Sequence, residues 1–237
     1  MMLLALALAQ TSFAADTILS SKTFPAKAVS HIVARTEAGS IKVKVKPGSE
    51  VTAEARKPAD SEGHCEVSVH LEGGTLTLEA RKPKGSEAVC DGGFTIYAPS
   101  GVGLEAYAGS GSVEVGAIKR PIKIRTGSGG ITILGLRGQG YAMTGSGEIR
   151  AELPSAAFDA RTGSGDIKVT LTTPSGLVSA RSGSGSIAVK VPAGSKVHLS
   201  ATSASGKVES AFKDDPKSPL VVEAFTGSGD VTVSASR

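Results

Sequence analysis

The chain has 237 residues, a formal net charge of +4 and 40% hydrophobic residues, enough to pack one or two domains. Aromatics make up only 4%, with no Trp, while glycine reaches 30 residues. That composition suits short strands packed through small and branched aliphatics and fits a helical globule badly. Charge is spread as alternating Lys, Arg, Glu and Asp, without the basic cluster and interleaved aromatics that nucleic-acid binding requires.

The chain opens on MMLLALALAQTSFAAD. The apolar run Leu3 to Ala9, followed by Ser12-Phe13-Ala14, predicts a secretory signal peptide over residues 1–15, cut after Ala14 or Ala15, although no Lys or Arg precedes the run. The run is too short to span a membrane, and no later segment is long enough. With no Cys beside the cleavage point, a lipid anchor is not expected.

Residues 16–100 read as an N-terminal β section. HIVARTEAGSIKVKVKPGS resembles one coil of the repeat described below, and CEVSVHLEGGTLTLEARK predicts an antiparallel hairpin through Gly73-Gly74. Longer strands over about residues 50 to 100 are expected to cap or widen this end. Cys65 and Cys90 are the only cysteines. Export favours bridging them, worth about 3.5 kcal/mol on the chain-entropy view. His64 and His70 lack the second close-spaced ligand pair that a zinc site uses, so no metal is expected.

Residues 101–237 are organised by repetition. Gly-Ser-Gly, one residue, then Ile or Val recurs as Gly109-Ser110-Gly111, Gly127-Ser128-Gly129, Gly145-Ser146-Gly147, Gly163-Ser164-Gly165, Gly183-Ser184-Gly185 and Gly227-Ser228-Gly229. Ala204-Ser205-Gly206 is a worn copy and Ala38-Gly39-Ser40 a fainter one. Period-two alternation flanks each corner and predicts columns on one face. Before the corner these are Leu104, Ile122, Phe158, Val178, Leu199 and Val222, then the Ala106 to Ala224 column. A hydroxyl column follows, containing Thr126, Thr144, Thr162, Ser182, Ser203 and Thr226. After the corner comes Val113, Ile131, Ile149, Ile167, Ile187, Val208 and Val231. Columns at a near-fixed period predict an all-β fold, a single-stranded parallel β-helix (β-solenoid), with right-handed winding. The corner glycines are expected to be structural, through positive φ and because coils about 4.8 Å apart crowd any side chain there. The hydroxyl column is expected to bond backbone or neighbouring hydroxyls inside the corner, the alternative being an outward threonine array of the ice-binding kind, which would need a flat, exposed Thr-x-Thr face. Lys213 to Pro219 is a polar insertion expected to fold over a coil edge.

Runs such as Thr162-Gly163-Ser164-Gly165-Asp166-Ile167-Lys168-Val169 resemble a group of exported bacterial β-strand-repeat proteins of unknown function, often labelled adhesins. The similarity covers about residues 30 to 237. It implies a parallel β-helix at the cell envelope and no functional residues.

No catalytic constellation assembles. The serines sit in corners, no nucleophile elbow surrounds any of them, and Gly-Ser-Gly lacks the Lys-Ser/Thr and following helix of a phosphate loop. Asp159, Asp166 and Asp230 read as exposed charges balancing Arg125, Arg161 and Arg181. The candidate binding surface is the outward column before the corners: Tyr107, Arg125, Met143, Arg161, Arg181, Thr202 and Phe225. It suits an anionic envelope polymer or a protein partner. The expectation is a non-catalytic exported envelope or surface module, periplasmic or extracellular, without cofactor. The alternatives are a polysaccharide-active β-helix enzyme and a scaffold that self-associates end to end.

Overall fold

The computed structural model describes residues 17–57, 65–154 and 156–236. The expected signal peptide and His64 lie outside the described residues.

Period-two alternation produces strands throughout. β1 (Thr17–Pro25) is followed by β2 (His31–Thr36), β3 (Ile41–Val45), β4 (Glu50–Lys57), β5 (Glu66–Glu72), β6 (Thr75–Arg81) and β7 (Gly93–Ala98). Strand pairs then straddle each corner: β8 (Gly103–Ala108) with β9 (Val113–Val115), β10 (Ile122–Thr126) with β11 (Ile131–Leu134), and β12 (Gly140–Thr144) with β13 (Ile149–Leu153). The remainder are β14 (Ala156–Thr162) with β15 (Ile167–Leu171), β16 (Gly176–Ser182) with β17 (Ile187–Pro192), β18 (His198–Ser205) with β19 (Val208–Ser210), and β20 (Leu220–Ser228) with β21 (Val231–Ser236).

The first strand of each pair enters a ten-stranded sheet and the second an eleven-stranded sheet. Equivalent strands of adjacent coils pair in parallel, so the chain is a β-solenoid with two faces. Ile131 is in register with Ile149, and Ile149 with Ile167. All three are essentially buried, in one interior row between the sheets. The opposing row runs through Ile124, Ala142, Ala160 and Ala180. Small alanines there leave room for the isoleucines opposite, which is why aromatics are scarce. Gly140 interrupts the next row. A Cβ there would lie 2.6 Å from both Phe158 Cδ2 and Leu136 Cδ2, so the Phe158 ring occupies space that a side chain at 140 would need.

The coils do not stack in sequence order at either end. β2 lies between β6 and β8, and β20 between β16 and β18. The coil of β20 and β21 therefore inserts ahead of the coil that precedes it in the chain. Hydrophobic burial accounts for the exchange. The inner row of the inserted coil carries Val222, Ala224, Val231 and Val233, all buried, whereas β19 is exposed throughout and Val208 is 45% exposed. The insertion at 211–219 supplies the return path. Asp214 bridges to Val197, and its carboxylate accepts the Leu199 N–H at 2.9 Å and contacts His198 Nδ1 at 3.0 Å. The insertion thus covers the start of the β18 edge, as expected.

At the other end the sheets are widened by antiparallel strands: β4 pairs with β7, β1 with β4, and β5 with β6. Gly73 (φ 55°) and Gly74 (φ 81°) make the β5–β6 turn, the two positive values a tight hairpin needs. Lys22 Nζ donates to the Val69 carbonyl at 2.9 Å, tying β1 to β5 across the end. Cys65 and Cys90 form the disulfide. Sequence reading missed β1 and did not see that β6 and β7 form a coil, because their corner at Gly92-Gly93 lacks the repeat motif.

The corner glycines require a correction. Of the Gly-Ser-Gly glycines, only Gly229 has positive φ (138°); left-handed backbone is not what selects them. Crowding is. A Cβ at Gly111, Gly129, Gly147, Gly165 or Gly185 would lie 1.9–2.1 Å from the carbonyl oxygen of the equivalent glycine one coil away. Gly109 would meet the Glu37 oxygen at 2.1 Å, while Gly127, Gly145, Gly163, Gly183 and Gly227 would meet the preceding first glycine at 2.4–2.6 Å. The hydroxyl column binds these carbonyls. Thr144 donates to Gly129 O (3.0 Å), Thr162 to Gly147 O (3.1 Å), Ser182 to Gly165 O (2.9 Å) and Thr226 to Gly185 O (2.7 Å). Thr144 and Thr162 also accept the N–H of Gly147 and Gly165, each at 3.0 Å. Thr144 and Thr162 thereby join their own corners to the preceding ones.

Candidate functional site

On the ten-stranded sheet, residues that alternate with the buried rows project outward. Parallel pairing aligns Arg35, Tyr107, Arg125, Met143, Arg161, Arg181, Phe225 and Thr202 in one row. From Tyr107 to Phe225 the row crosses five strand spacings, about 24 Å. The structure therefore brings all the sequence-predicted residues onto one face. It seats Phe225 next to Arg181, with Thr202 beyond. Arg35 escaped notice because its coil lies out of sequence order, although aligning HIVARTEAGS with LEAYAGSGS would have found it.

The adjoining outward row holds Glu105, Lys123, Tyr141, Asp159, Ser179 and Glu223, and the two rows interlock. Arg35 lies over the Tyr107 ring at 5.4 Å, while Arg125 and Arg161 both approach Tyr141, at 5.5 and 5.7 Å. Arg161 grips Asp159 through two hydrogen bonds of 3.0 and 2.7 Å, which push the guanidinium pKa up. Arg181 approaches Glu223 at 3.5 Å. The Tyr107 hydroxyl donates to Glu105 at 2.6 Å. That bond holds the Glu105 carboxyl below the usual carboxylate range, against a smaller desolvation effect and with help from Lys123, His31 and Arg35. The guanidiniums are thus held against rings and carboxylates, which orders the surface; Met143 (42% exposed), whose Sδ accepts from the Tyr141 hydroxyl at 3.2 Å, and Phe225 (49%) remain exposed.

Beside these rows is a depression of about 360 Å³, lined by Tyr141, Ala157, Phe158, Asp159, Leu177 and Ser179 among others. Leu177 is exposed, and the buried Ser179 hydroxyl has no hydrogen-bond partner among the described residues. Asp159 is engaged by Arg161 there. The other two carboxylates considered for catalysis bind backbone: Asp166 accepts the Ser186 N–H and Asp230 the Lys207 N–H, each at 2.9 Å. Among the described residues no group of three metal-ligating side chains occurs and no helix is long and apolar enough to cross a membrane.

Solved structures resemble the chain over most of its length. A "putative adhesin" from Bacteroides fragilis is 14% identical, covering 94% of this chain and 99% of that one, with a TM-score of 0.49. A "putative cell adhesion protein" from Clostridium sporogenes is 13% identical over 94% and 100%, with a TM-score of 0.41. A "putative lipid binding protein" from Parabacteroides distasonis is 14% identical over 92% and 96%, with a TM-score of 0.42. No curated protein matches. The family model described as Toastrack DUF4097 matches residues 23–237, and the chain belongs to that family.

Proposed function

We propose that the chain is a non-catalytic, exported module of the cell envelope that recognises a protein partner through the outer face of its ten-stranded sheet. The observation that carries this reading is the in-register row of Tyr107, Arg125, Met143, Arg161, Arg181 and Phe225. Aromatics, Met and Arg are the side chains enriched at the centres of protein interfaces. Here they are pre-ordered on a rigid face, which lowers the entropic cost of docking. The paired guanidiniums favour a protein partner over a polyanion on this face. The disulfide supports an oxidising compartment, and the structural engagement of Asp159, Asp166 and Asp230 supports a role without catalysis. A photo-crosslinking residue placed at Met143 or Phe225 in the producing cell is expected to yield the same discrete adduct from both sites. A probe at Glu152, on the opposite sheet, is expected to yield none. Identical patterns from all three sites would defeat the proposal.

A second reading rests on the far end of the stack. Val208 is exposed there, and past the Val197–Asp214 bridge the outer edges of β18 and β19 have no strand partner among the described residues, which invites pairing with another copy. Sedimentation velocity showing only monomer across a hundredfold concentration range, a span of about 2.7 kcal/mol in association free energy, would remove it.

A further inference from the structure

The depression beside Tyr141 is floored by β14. The outward residues at that end of the strand are Ala157, a single exposed methyl, and Asp159. β16 sets Leu177 beside Ala157 and Ser179 beside Asp159, and from the other side β12 sets Tyr141 beside Asp159. The Tyr141 hydroxyl donates to Met143 Sδ at 3.2 Å, so its ring lies along β12 toward Met143 and leaves the space over Ala157 open. Gly140 contributes no side chain, and the Phe158 ring reaches beneath it to line the depression.

One end of this apolar floor is polar. Ser179 is 8% exposed although it faces away from the core, and its hydroxyl has no hydrogen-bond partner among the described residues. Its in-register neighbours are both carboxylates, Asp159 on β14 and Glu223 on β20. Each is turned to an arginine instead, Asp159 to Arg161 and Glu223 to Arg181. A buried hydroxyl left unpaired is destabilising, and a carboxylate bound by one guanidinium keeps lone pairs for a further donor. The depression therefore ends on a donor that lacks an acceptor, next to an acceptor that can take another donor.

We propose that this depression binds a phenolic ring, whose hydroxyl accepts from Ser179 and donates to Asp159 while the ring lies over Ala157 between Leu177, Tyr141 and Phe158. A hydroxyl is the neutral group that donates and accepts through one atom. An anionic group would meet repulsion from Asp159, and a wholly apolar ring would leave Ser179 unpaired. Two of the walls are aromatic, where edge and offset ring contacts add to burial. The volume of about 360 Å³ lies at the small end of the range for ligand sites and suits a single ring. A free phenol and a tyrosine side chain carry the same chemistry. The site needs no protein partner and does not rest on the reading of the neighbouring outward row.

The test is an NMR titration of the isotope-labelled full chain, read at the Ala157, Leu177 and Ser179 amides, with p-cresol, toluene, p-toluate and a blocked Gly-Tyr-Gly peptide. The parent, S179A and A157F are compared, each first shown to keep the parent's circular dichroism. p-Cresol is expected to give saturable shifts and to bind about fivefold more tightly than toluene, the ratio one net hydrogen bond supplies. p-Toluate is expected to bind no better than toluene. S179A should bring p-cresol down to the toluene level and leave toluene unchanged. A157F, at an exposed position, should abolish binding of both by filling the floor. Binding of the peptide as well assigns a tyrosine side chain as the source, and binding of p-cresol without the peptide assigns a free phenol. No saturable shift from p-cresol, equal or tighter binding of toluene or p-toluate, an unchanged p-cresol preference in S179A, or binding retained in A157F would overturn the proposal. Adducts at Met143 and Phe225 are scored separately, so either reading can fail alone.

Discussion

Replacing Gly165 by Ala probes the corner ladder with a single methyl. The added Cβ would stand 1.9 Å from the Gly147 oxygen and 2.5 Å from its carbon, where real Cβ contacts essentially never fall below 3.0 Å. Relief requires these two coils to separate by about 1 Å. That stretches the bonds crossing the same gap: Thr162 to Gly147 O at 3.1 Å, Ser164 N to Gly145 O at 3.1 Å and Gly163 N to Thr144 O at 3.2 Å. Losing two or three bonds at about 1 kcal/mol each predicts a loss of about 2–3 kcal/mol, a sizeable share of a typical domain's stability. Urea unfolding followed by circular dichroism measures it. Gly165→Asn should be at least as damaging, whereas Gly73→Asn, at φ 55° with nothing within 4 Å, should cost little because Asn tolerates left-handed backbone. A loss below 0.5 kcal/mol for Gly165→Ala, or good tolerance of Asn at 165, would refute the crowding argument.

Thr144→Val removes the acceptor of the buried Gly147 N–H and the donor to Gly129 O; a loss of about 1–3 kcal/mol is expected in the same assay. Breaking the Cys65–Cys90 bridge as a double Ala variant should lower stability by about 3 kcal/mol, read as a reduced urea midpoint without change at Met143 crosslinking. Asp214 should titrate below the ordinary carboxylate range, because the Leu199 N–H and then His198 favour its charged form. Its stabilising effect is therefore present at neutral pH, above the unfolded-state value, and disappears as pH falls through the lowered folded value. An NMR titration of the carboxyl carbon checks the direction, and Asp214→Ala should accelerate hydrogen exchange at the Leu199 amide.

The repeat made the coils legible because alternation and the glycine corners impose the same register on every copy: Ile131, Ile149 and Ile167 could be placed over one another before any coordinates. The order of the end coils was not legible. Equivalent coils share one register, so β20 fits either side of β18, and only the relative burial value of Val222, Val231 and Val233 against β19 decides between the arrangements. The role of Gly165 was half legible: coil spacing foretold crowding, but backbone dihedrals are not encoded in a Gly-Ser-Gly string. The outward row followed from the same alternation. The antiparallel return of β4 beside β7 did not, because no repeat announces that pairing.

The account rests on strands from successive coils lying side by side in the observed order, including the exchange at the end of the stack. Direct disulfide formation under mild oxidation, with the native disulfide intact, tests this most directly in three double-cysteine variants, 181 with 225, 202 with 225, and 181 with 202, because it needs Cα atoms within about 7 Å. In the observed register Arg181 faces Phe225, and Phe225 faces Thr202. The first two pairs should therefore crosslink efficiently and the third poorly. Efficient crosslinking of 181 with 202, with little between 181 and 225, would contradict the stack.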